Sequence, residues 1–228
     1  MFMRKKIACL HAHHSNIEYI EKAFSPFDME WLHFVDSGLM HRVASDETFT
    51  FSDASKKVKE QMEWMVECNV DAILITCTNY ITFLNEEQLS LSMPIIKIDE
   101  PFFELVCQVQ QPQVMLFTNP ATVEGTMKRL NVHSRNYGGV DVEIIIIENA
   151  FELIMKGLND TYNQEIVNRL LQFNEEKRQI SVAQLSMVKA AMSYERLTGD
   201  AIINPLQALV SFMATRLDLR PSIEKEHI

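Results

Sequence analysis

At 228 residues, with 47% hydrophobic and 23% charged positions, the chain has the composition of a soluble globular protein, long enough for one large domain or two smaller ones that each bury a core. A net charge of −10, with no basic cluster larger than Arg4-Lys5-Lys6, argues against nucleic acid as a partner, because phosphate neutralisation needs clustered Lys and Arg. No apolar segment approaches the roughly 18 to 20 residues of a membrane span, and the apolar stretch after the basic start breaks at His11, so neither a membrane partner nor a signal peptide is expected and a cytoplasmic protein is.

Lys6 to Leu10 predicts a first strand, which ends in His11-Ala12-His13-His14-Ser15-Asn16. A helical spacing of Ile17, Ile20, Ala23 and Phe24 follows, with Ser15 or Asn16 suited to its N-cap. Three histidines within four residues raise the question of a metal. Consecutive loop residues do not all point at one ion, and no HExxH-type partner follows, so no metal is expected there. His11, directly at the strand end, is the histidine best placed to face a pocket. Met29 to Val35 predicts a second strand, and Ser52 to Cys68 a helix capped by Ser52 or Asp53, with Val58, Met62, Met65 and Val66 on one face.

The next stretch carries the most chemistry. The apolar run Ala72 to Ile75 suits a strand covered on both faces, and it stops abruptly at Thr76-Cys77-Thr78-Asn79. In open α/β sheets ligands collect at the carboxyl ends of such strands. Cys77 is either a small buried hydrophobe, the commonest fate of a free cysteine, or a reactive thiol whose neighbours Thr78 and Asn79 hold a carboxylate. Cys9, Cys68 and Cys107 complete the set; no CxxC or other zinc spacing occurs, and Cys68 and Cys107 fall in helical patterns.

After a helix beyond Tyr80, Met93 to Pro101 predicts a short strand, leading into a helix from Phe102 to Gln110. The same alternation then repeats. Val114 to Phe117 is a strand, Thr118 to Thr122 a polar turn, and Val123 to Leu130 a helix with Pro120 near its first turn. Val142 to Ile147 is a strand, Glu148 to Gly157 and Asn163 to Asn174 are helical, and Ile180 to Met187 is a strand ending in a polar cluster. Ala201 to Asn204 is a last short strand before a helix from Leu206 to Leu217. Alternating β and α elements in two similar halves imply an α/β fold of two lobes with parallel sheets. With only 6 glycines and no GxGxxG or GxxxxGK motif, a nucleotide cofactor is not indicated.

Five segments, taken in order, carry a family resemblance: the histidine-containing end of the first strand, Asp71 to Asn79, Leu116 to Gly125, Ile180 to Met187, and Ile203 to Leu206. Together they resemble the aspartate/glutamate racemase superfamily. The resemblance implies two pseudo-symmetric α/β lobes, each a parallel sheet flanked by helices, with the active-site cleft between them. Residues 1–100 would form the first lobe, joined by a C-terminal helix at about 205–220, and residues 101–204 the second.

It also implies cofactor-independent chemistry on a small carboxylate. Racemases of this kind flank the α-carbon with one cysteine from each lobe, because inversion needs the proton to return on the face it did not leave. Cys77 matches the first of these cysteines, but the second position falls on Gln184, expected to face Cys77 and unable to exchange a proton. The family's first-strand aspartate–serine pair is replaced by His11-Ala12-His13, so His11 is either a second acid/base or a carboxylate donor. Thr78, Asn79, Thr118, Thr122, Gln184 and Ser186 are the implied substrate-binding residues, with N-capping as the competing role for Thr118. The expectation is a cysteine-dependent isomerase or lyase with no cofactor, compatible with a homodimer. The alternative is a small-carboxylate binding protein or sensor that has lost turnover.

Overall fold

The computed structural model describes residues 4–173 and 178–222, and the chain divides into two compact units. One comprises the residues up to Ile98 and those from Val210 onward; the other is Asp99–Leu209.

In the first unit, strands β1 (Lys5–His11), β2 (Met29–Val35), β3 (Ala72–Ile75) and β4 (Ile95–Lys97) form a parallel sheet in the order β2-β1-β3-β4. β3 is buried at all four positions, and β1 at its last five, as expected for inner strands covered on both faces. Helices α1 (Asn16–Phe24), α2 (Gly38–Ser45), α3 (Phe51–Val66) and α4 (Thr78–Phe83) fill the connections. The helix α3 buries Ala54, Val58, Met62 and Met65, the i, i+4, i+8, i+11 stripe of an amphipathic helix. Each such large side chain contributes about 1.5–3 kcal/mol when removed from water.

The second unit repeats the plan with β5 (Gln113–Phe117), β6 (Val142–Ile146) and β7 (Gln179–Val182) in the parallel order β6-β5-β7. Around it lie α5 (Asp99–Gln108), α6 (Val123–Ser134), α7 (Ala150–Met155), α8 (Asn159–Leu171) and α9 (Val188–Thr198), while α10 (Pro205–Arg216) runs through the boundary at Leu209. The central strand β5 is wholly buried, with Val114 and Leu116 in one apolar cluster and Met115 and Phe117 in another, as period-two alternation requires. A parallel α/β fold with helix-flanked sheets is therefore what the alternating sequence pattern specified.

Several elements differ from the sequence reading. The cap of α3 is Thr50, whose hydroxyl accepts from the Asp53 backbone while the Asp53 carboxylate accepts from Thr50, a reciprocal capping box; Ser52 lies inside the helix. The helix α4 starts at Thr78 rather than beyond Tyr80, with Cys77 at its N-cap position. The helix α5 starts at Asp99, with Pro101 tolerated in its first turn. Ser15 occupies the N-cap of α1, yet its hydroxyl pairs with His13 Nδ1 instead of capping the helix. A helix over Val188–Thr198 follows β7 where none was expected, and Ala201 to Asn204 reduces to a single bridge between Ile203 and Ser181. Asn174, the expected end of a helix, lies outside the described residues.

Candidate functional site

In each unit the expected polar residues lie just beyond the carboxyl ends of parallel strands. In the first, β3 is extended by one more ladder bond, from the Thr76 backbone N–H to the Leu10 carbonyl at 3.0 Å, and the chain turns at Cys77 into α4. Cys77, Thr78 and Asn79 are all half-buried, whereas Cys9 is wholly buried and Cys107 nearly so. The Ile81 backbone N–H donates to the Cys77 carbonyl at 3.2 Å, and the buried Tyr80 hydroxyl donates to the Asp36 carbonyl, which ties the turn to the end of β2. Cys77 therefore sits at a fixed strand-to-helix corner with part of its surface accessible.

His11 is also at a strand end, but its imidazole is fully buried, with both ring nitrogens engaged. Nδ1 lies 2.9 Å from the Thr76 hydroxyl and Nε2 2.9 Å from His33 Nδ1. The Thr76 hydroxyl donates its only hydrogen to the Leu10 carbonyl at 3.1 Å and also accepts from Asn16 Nδ2 at 3.3 Å. It can only accept from His11, so His11 carries its proton on Nδ1 and presents a lone pair at Nε2. Burial, and secondarily the neighbouring His33, push the His11 pKa down to about 4, which keeps the ring neutral. His33 is also lowered by burial, against the opposing pull of Glu21, whose carboxylate lies 3.5 Å from His33 Nε2 without the alignment of a hydrogen bond. His11 thus looks inward, and a direct role in proton transfer would require these contacts to open. His13 and His14 are exposed, with their rings tilted against each other and ring centroids 4.2 Å apart.

In the second unit the end of β5 and the end of β7 are stitched together by Gln184. Its Oε1 accepts from the Thr118 backbone N–H at 2.7 Å, the Thr118 hydroxyl at 2.9 Å and the Asn119 backbone N–H at 3.1 Å, while Nε2 donates to the Thr122 hydroxyl at 3.2 Å. A flipped amide would set its NH2 against three donors, so this orientation is fixed by the network. The hydroxyls then order themselves. Thr118 gives its hydrogen to Gln184, so Tyr162, 3.0 Å away, donates to Thr118, and Ser186, 2.7 Å from Tyr162, donates to Tyr162. Capping of the following turn falls to Asn119, whose side chain accepts from the Ala121 backbone, while Thr122 donates to the Asn119 carbonyl. The four expected residues Thr118, Thr122, Gln184 and Ser186 are brought together in one network, and the sequence reading missed Tyr162, its bridging member. A tyrosine on the inner face of α8 looks like core from its spacing, and its hydroxyl role appears only once β5 and β7 are adjacent.

No protein-family model matches the chain, and no curated protein is similar to it in sequence. Solved structures do match. An aspartate racemase of Picrophilus torridus superposes with a TM-score of 0.71 over 96% of this chain and 97% of that one, at 13% identity. A glutamate racemase of Campylobacter jejuni gives a TM-score of 0.68 over 96% and 89%, also at 13% identity. An allantoin racemase of Klebsiella pneumoniae gives 0.65 over 97% and 91%, at 16% identity. Likeness at these identities establishes the fold: the chain has the α/β architecture of the aspartate, glutamate and allantoin racemases.

Proposed function

We propose that the protein is a divergent member of the aspartate/glutamate racemase superfamily and acts as a cofactor-independent, cysteine-dependent isomerase or lyase on a small carboxylate, with Cys77 as its thiolate base or nucleophile. The observation that carries this reading is the position of Cys77. It is half-buried at the N-cap corner immediately after a fully buried parallel strand, flanked by the half-buried donors Thr78 and Asn79, in a fold shared with solved aspartate, glutamate and allantoin racemases. A thiolate there would take the proton α to the carboxylate or add to the substrate, while Thr78 and Asn79 hold the carboxylate oxygens. His11 enters through Thr76, whose hydroxyl it holds one residue before Cys77, and is a positioning residue in this scheme. Thr118, Thr122 and Ser186 of the second unit spend their hydroxyl hydrogens on Gln184, the Asn119 carbonyl and Tyr162, so they would contact a carboxylate only after that network rearranges.

Gln184 separates this chemistry from two-base racemisation, since an amide neither takes nor returns a proton at neutral pH. The four hydrogen bonds that hold it also support a second reading, a carboxylate-binding protein without turnover. Incubation in D2O with amino acids, hydroxy acids, maleate and malonates distinguishes the two. Isomerisation, α-proton exchange or CO2 release that disappears in Cys77→Ser supports the enzyme; saturable binding with none of these supports the sensor. Iodoacetamide tests the thiol itself, because Cys68 is half-buried like Cys77 and serves as an internal standard. Labelling of Cys77 no faster than Cys68, with no protection by small dicarboxylates, would sink the enzyme reading.

A further inference from the structure

The first unit holds a second cluster of chemistry-bearing side chains on one face of its sheet, which does not include Cys77 but meets its turn through the His11–Thr76 contact. Cys9 and His11 are two residues apart on β1 and so point to the same face, and Cys9 is paired in register with His33 of the parallel neighbour β2. One nitrogen of each histidine and the Cys9 sulfur all lie within 4.8 Å of one another. Cys9 and His11 are fully buried, and only 14% of the His33 side chain is exposed.

A thiol and two imidazoles converging in the interior have a packing explanation only if their polar atoms are satisfied by one another. They are not. Thr76 fixes the His11 proton on Nδ1, so the 2.9 Å contact between His11 Nε2 and His33 Nδ1 joins two nitrogens that share one hydrogen between them. If His33 supplies that hydrogen as a neutral ring, its Nε2 lone pair faces the Glu21 carboxylate 3.5 Å away, and this buried nitrogen has no hydrogen-bond partner. Moving the His33 proton to Nε2 turns it toward Glu21, but then two lone pairs meet at 2.9 Å. A doubly protonated His33 would serve both contacts, but at the cost of a positive charge on a mostly buried ring; a cation between the rings serves them with both imidazoles neutral.

We propose that Cys9 Sγ, His11 Nε2 and His33 Nδ1 form a binding site for one zinc-class divalent cation. The outer contacts suit a metal site: His11 turns its other nitrogen to the Thr76 hydroxyl oxygen at 2.9 Å, and His33 turns Nε2 toward the exposed Glu21 carboxylate at 3.5 Å, an acceptor that a small side-chain movement would bring into hydrogen-bond range. A thiolate with two imidazoles selects Zn2+ and its tetrahedral relatives over oxygen-seeking Mg2+ or Ca2+. Tetrahedral bonds of about 2.0–2.1 Å to nitrogen and about 2.3 Å to sulfur put ligand atoms roughly 3.3–3.6 Å apart. The histidine nitrogens would open slightly and the sulfur would close from at most 4.8 Å to roughly 3.6 Å, adjustments within side-chain reach. Binding expels the Cys9 thiol proton, and a divalent ion, one thiolate and the nearby Glu21 carboxylate leave the site with no net charge. Three protein ligands leave a fourth position for water on the partly exposed His33 side.

The test is a titration of the reduced, chelator-stripped full chain with Co2+, read by absorption. The expected result is one ion per chain, with strong visible bands of a tetrahedral site and a near-ultraviolet thiolate-to-cobalt charge-transfer band, both removed by stoichiometric Zn2+. Cys9→Ser should abolish the charge-transfer band, His33→Gln should weaken Zn2+ binding at least tenfold, and Glu21→Gln about tenfold with the bands retained. The paired variant His13→Gln, His14→Gln should change nothing. Where Cys9→Ser loses its far-ultraviolet circular dichroism, the partly exposed His33→Gln decides alone. A missing charge-transfer band, a band that survives Cys9→Ser, or binding lost only with His13 and His14 overturns the site.

Discussion

The Gln184 Oε1 atom lies 2.7 Å from the Thr118 backbone nitrogen and accepts two further hydrogen bonds, from the Thr118 hydroxyl and the Asn119 backbone, so one amide oxygen fills a seat of three converging donors. Such a seat suits a carboxylate oxygen equally well. Gln184→Leu should therefore cost roughly 1–3 kcal/mol of stability by leaving those donors unmet. Gln184→Glu should stay within about 1 kcal/mol of the parent, because a carboxylate accepts the same three bonds more strongly while losing the donation to Thr122. Urea unfolding measures both. If the vacated seat takes an anion, acetate should raise the unfolding midpoint of Gln184→Ala and leave the parent unmoved. Equal responses of the two proteins would show that the seat does not bind carboxylates.

Tyr162 carries the same network into the core, since its hydroxyl bridges Thr118 and Ser186 while its ring is buried among Ile166, Leu170 and Tyr194. The two roles separate by substitution. Tyr162→Phe keeps the ring and should cost about 1 kcal/mol; Tyr162→Ala also opens a cavity and should cost about 3–5 kcal/mol. A double-mutant cycle between Tyr162→Phe and Ser186→Ala should return a coupling of about 0.5–1.5 kcal/mol. Strict additivity would show that the 2.7 Å contact contributes nothing in solution.

Asp99 and Arg129 form a two-pronged ion pair in the second unit, at 2.7 and 2.8 Å, with the Asp99 side chain 5% exposed and the Arg129 side chain 24% exposed. Planar fork-to-fork geometry gives both bonds at once, and Lys cannot reproduce it. Removing one partner strands the other's charge. Arg129→Leu should lose about 3 kcal/mol, the lower end of the range for breaking a buried pair because the guanidinium is partly hydrated. Arg129→Lys should recover less than half of that. The paired replacement Asp99→Asn, Arg129→Met should be less damaging than Arg129→Leu alone, and a thermal scan ordering the three variants otherwise would contradict this account.

What could be read from the sequence divides along physical lines. The runs Ile7 to Leu10, Ala72 to Ile75 and Val114 to Phe117 are apolar on both faces, a pattern that local composition alone specifies, and all three are inner strands. The helix α9 was invisible because its buried face is Val188, Ala190, Ala191 and Tyr194, where small alanines carry little apolar signal. The start of α4 was hidden for a related reason: Thr78 and Asn79 favour turns, and burial of Tyr80 and Ile81 overrides them. Cys77 could be singled out because it follows an apolar strand, whereas Gln184, inside what reads as the strand Ile180 to Met187, is reached only through the family resemblance. The grouping of Cys9 with His33 could not, because it depends on the parallel register of β1 against β2, a pairing across more than twenty residues that no local pattern encodes.

The cap of α3 shows the same limit at the scale of one turn and gives a sharp test. Ser52 and Asp53 both have side chains suited to capping, and the apolar stripe does not say which residue starts the helix. The structure places Thr50 there: its hydroxyl lies 3.2 Å from the Asp53 backbone nitrogen, and the Asp53 carboxylate lies 2.9 Å from the Thr50 nitrogen and 2.6 Å from its hydroxyl. The carboxylate is held below its usual pKa, first by the Thr50 side chain and then by the Thr50 backbone. Thr50→Ala removes the hydroxyl that meets a free N–H of the first turn and should cost about 1 kcal/mol. Ser52→Ala, inside the helix and exposed, should be neutral or slightly stabilising through alanine's better propensity. Urea midpoints of the two single variants check this directly. A larger loss for Ser52→Ala than for Thr50→Ala would return the cap to the residue that the sequence pattern favours.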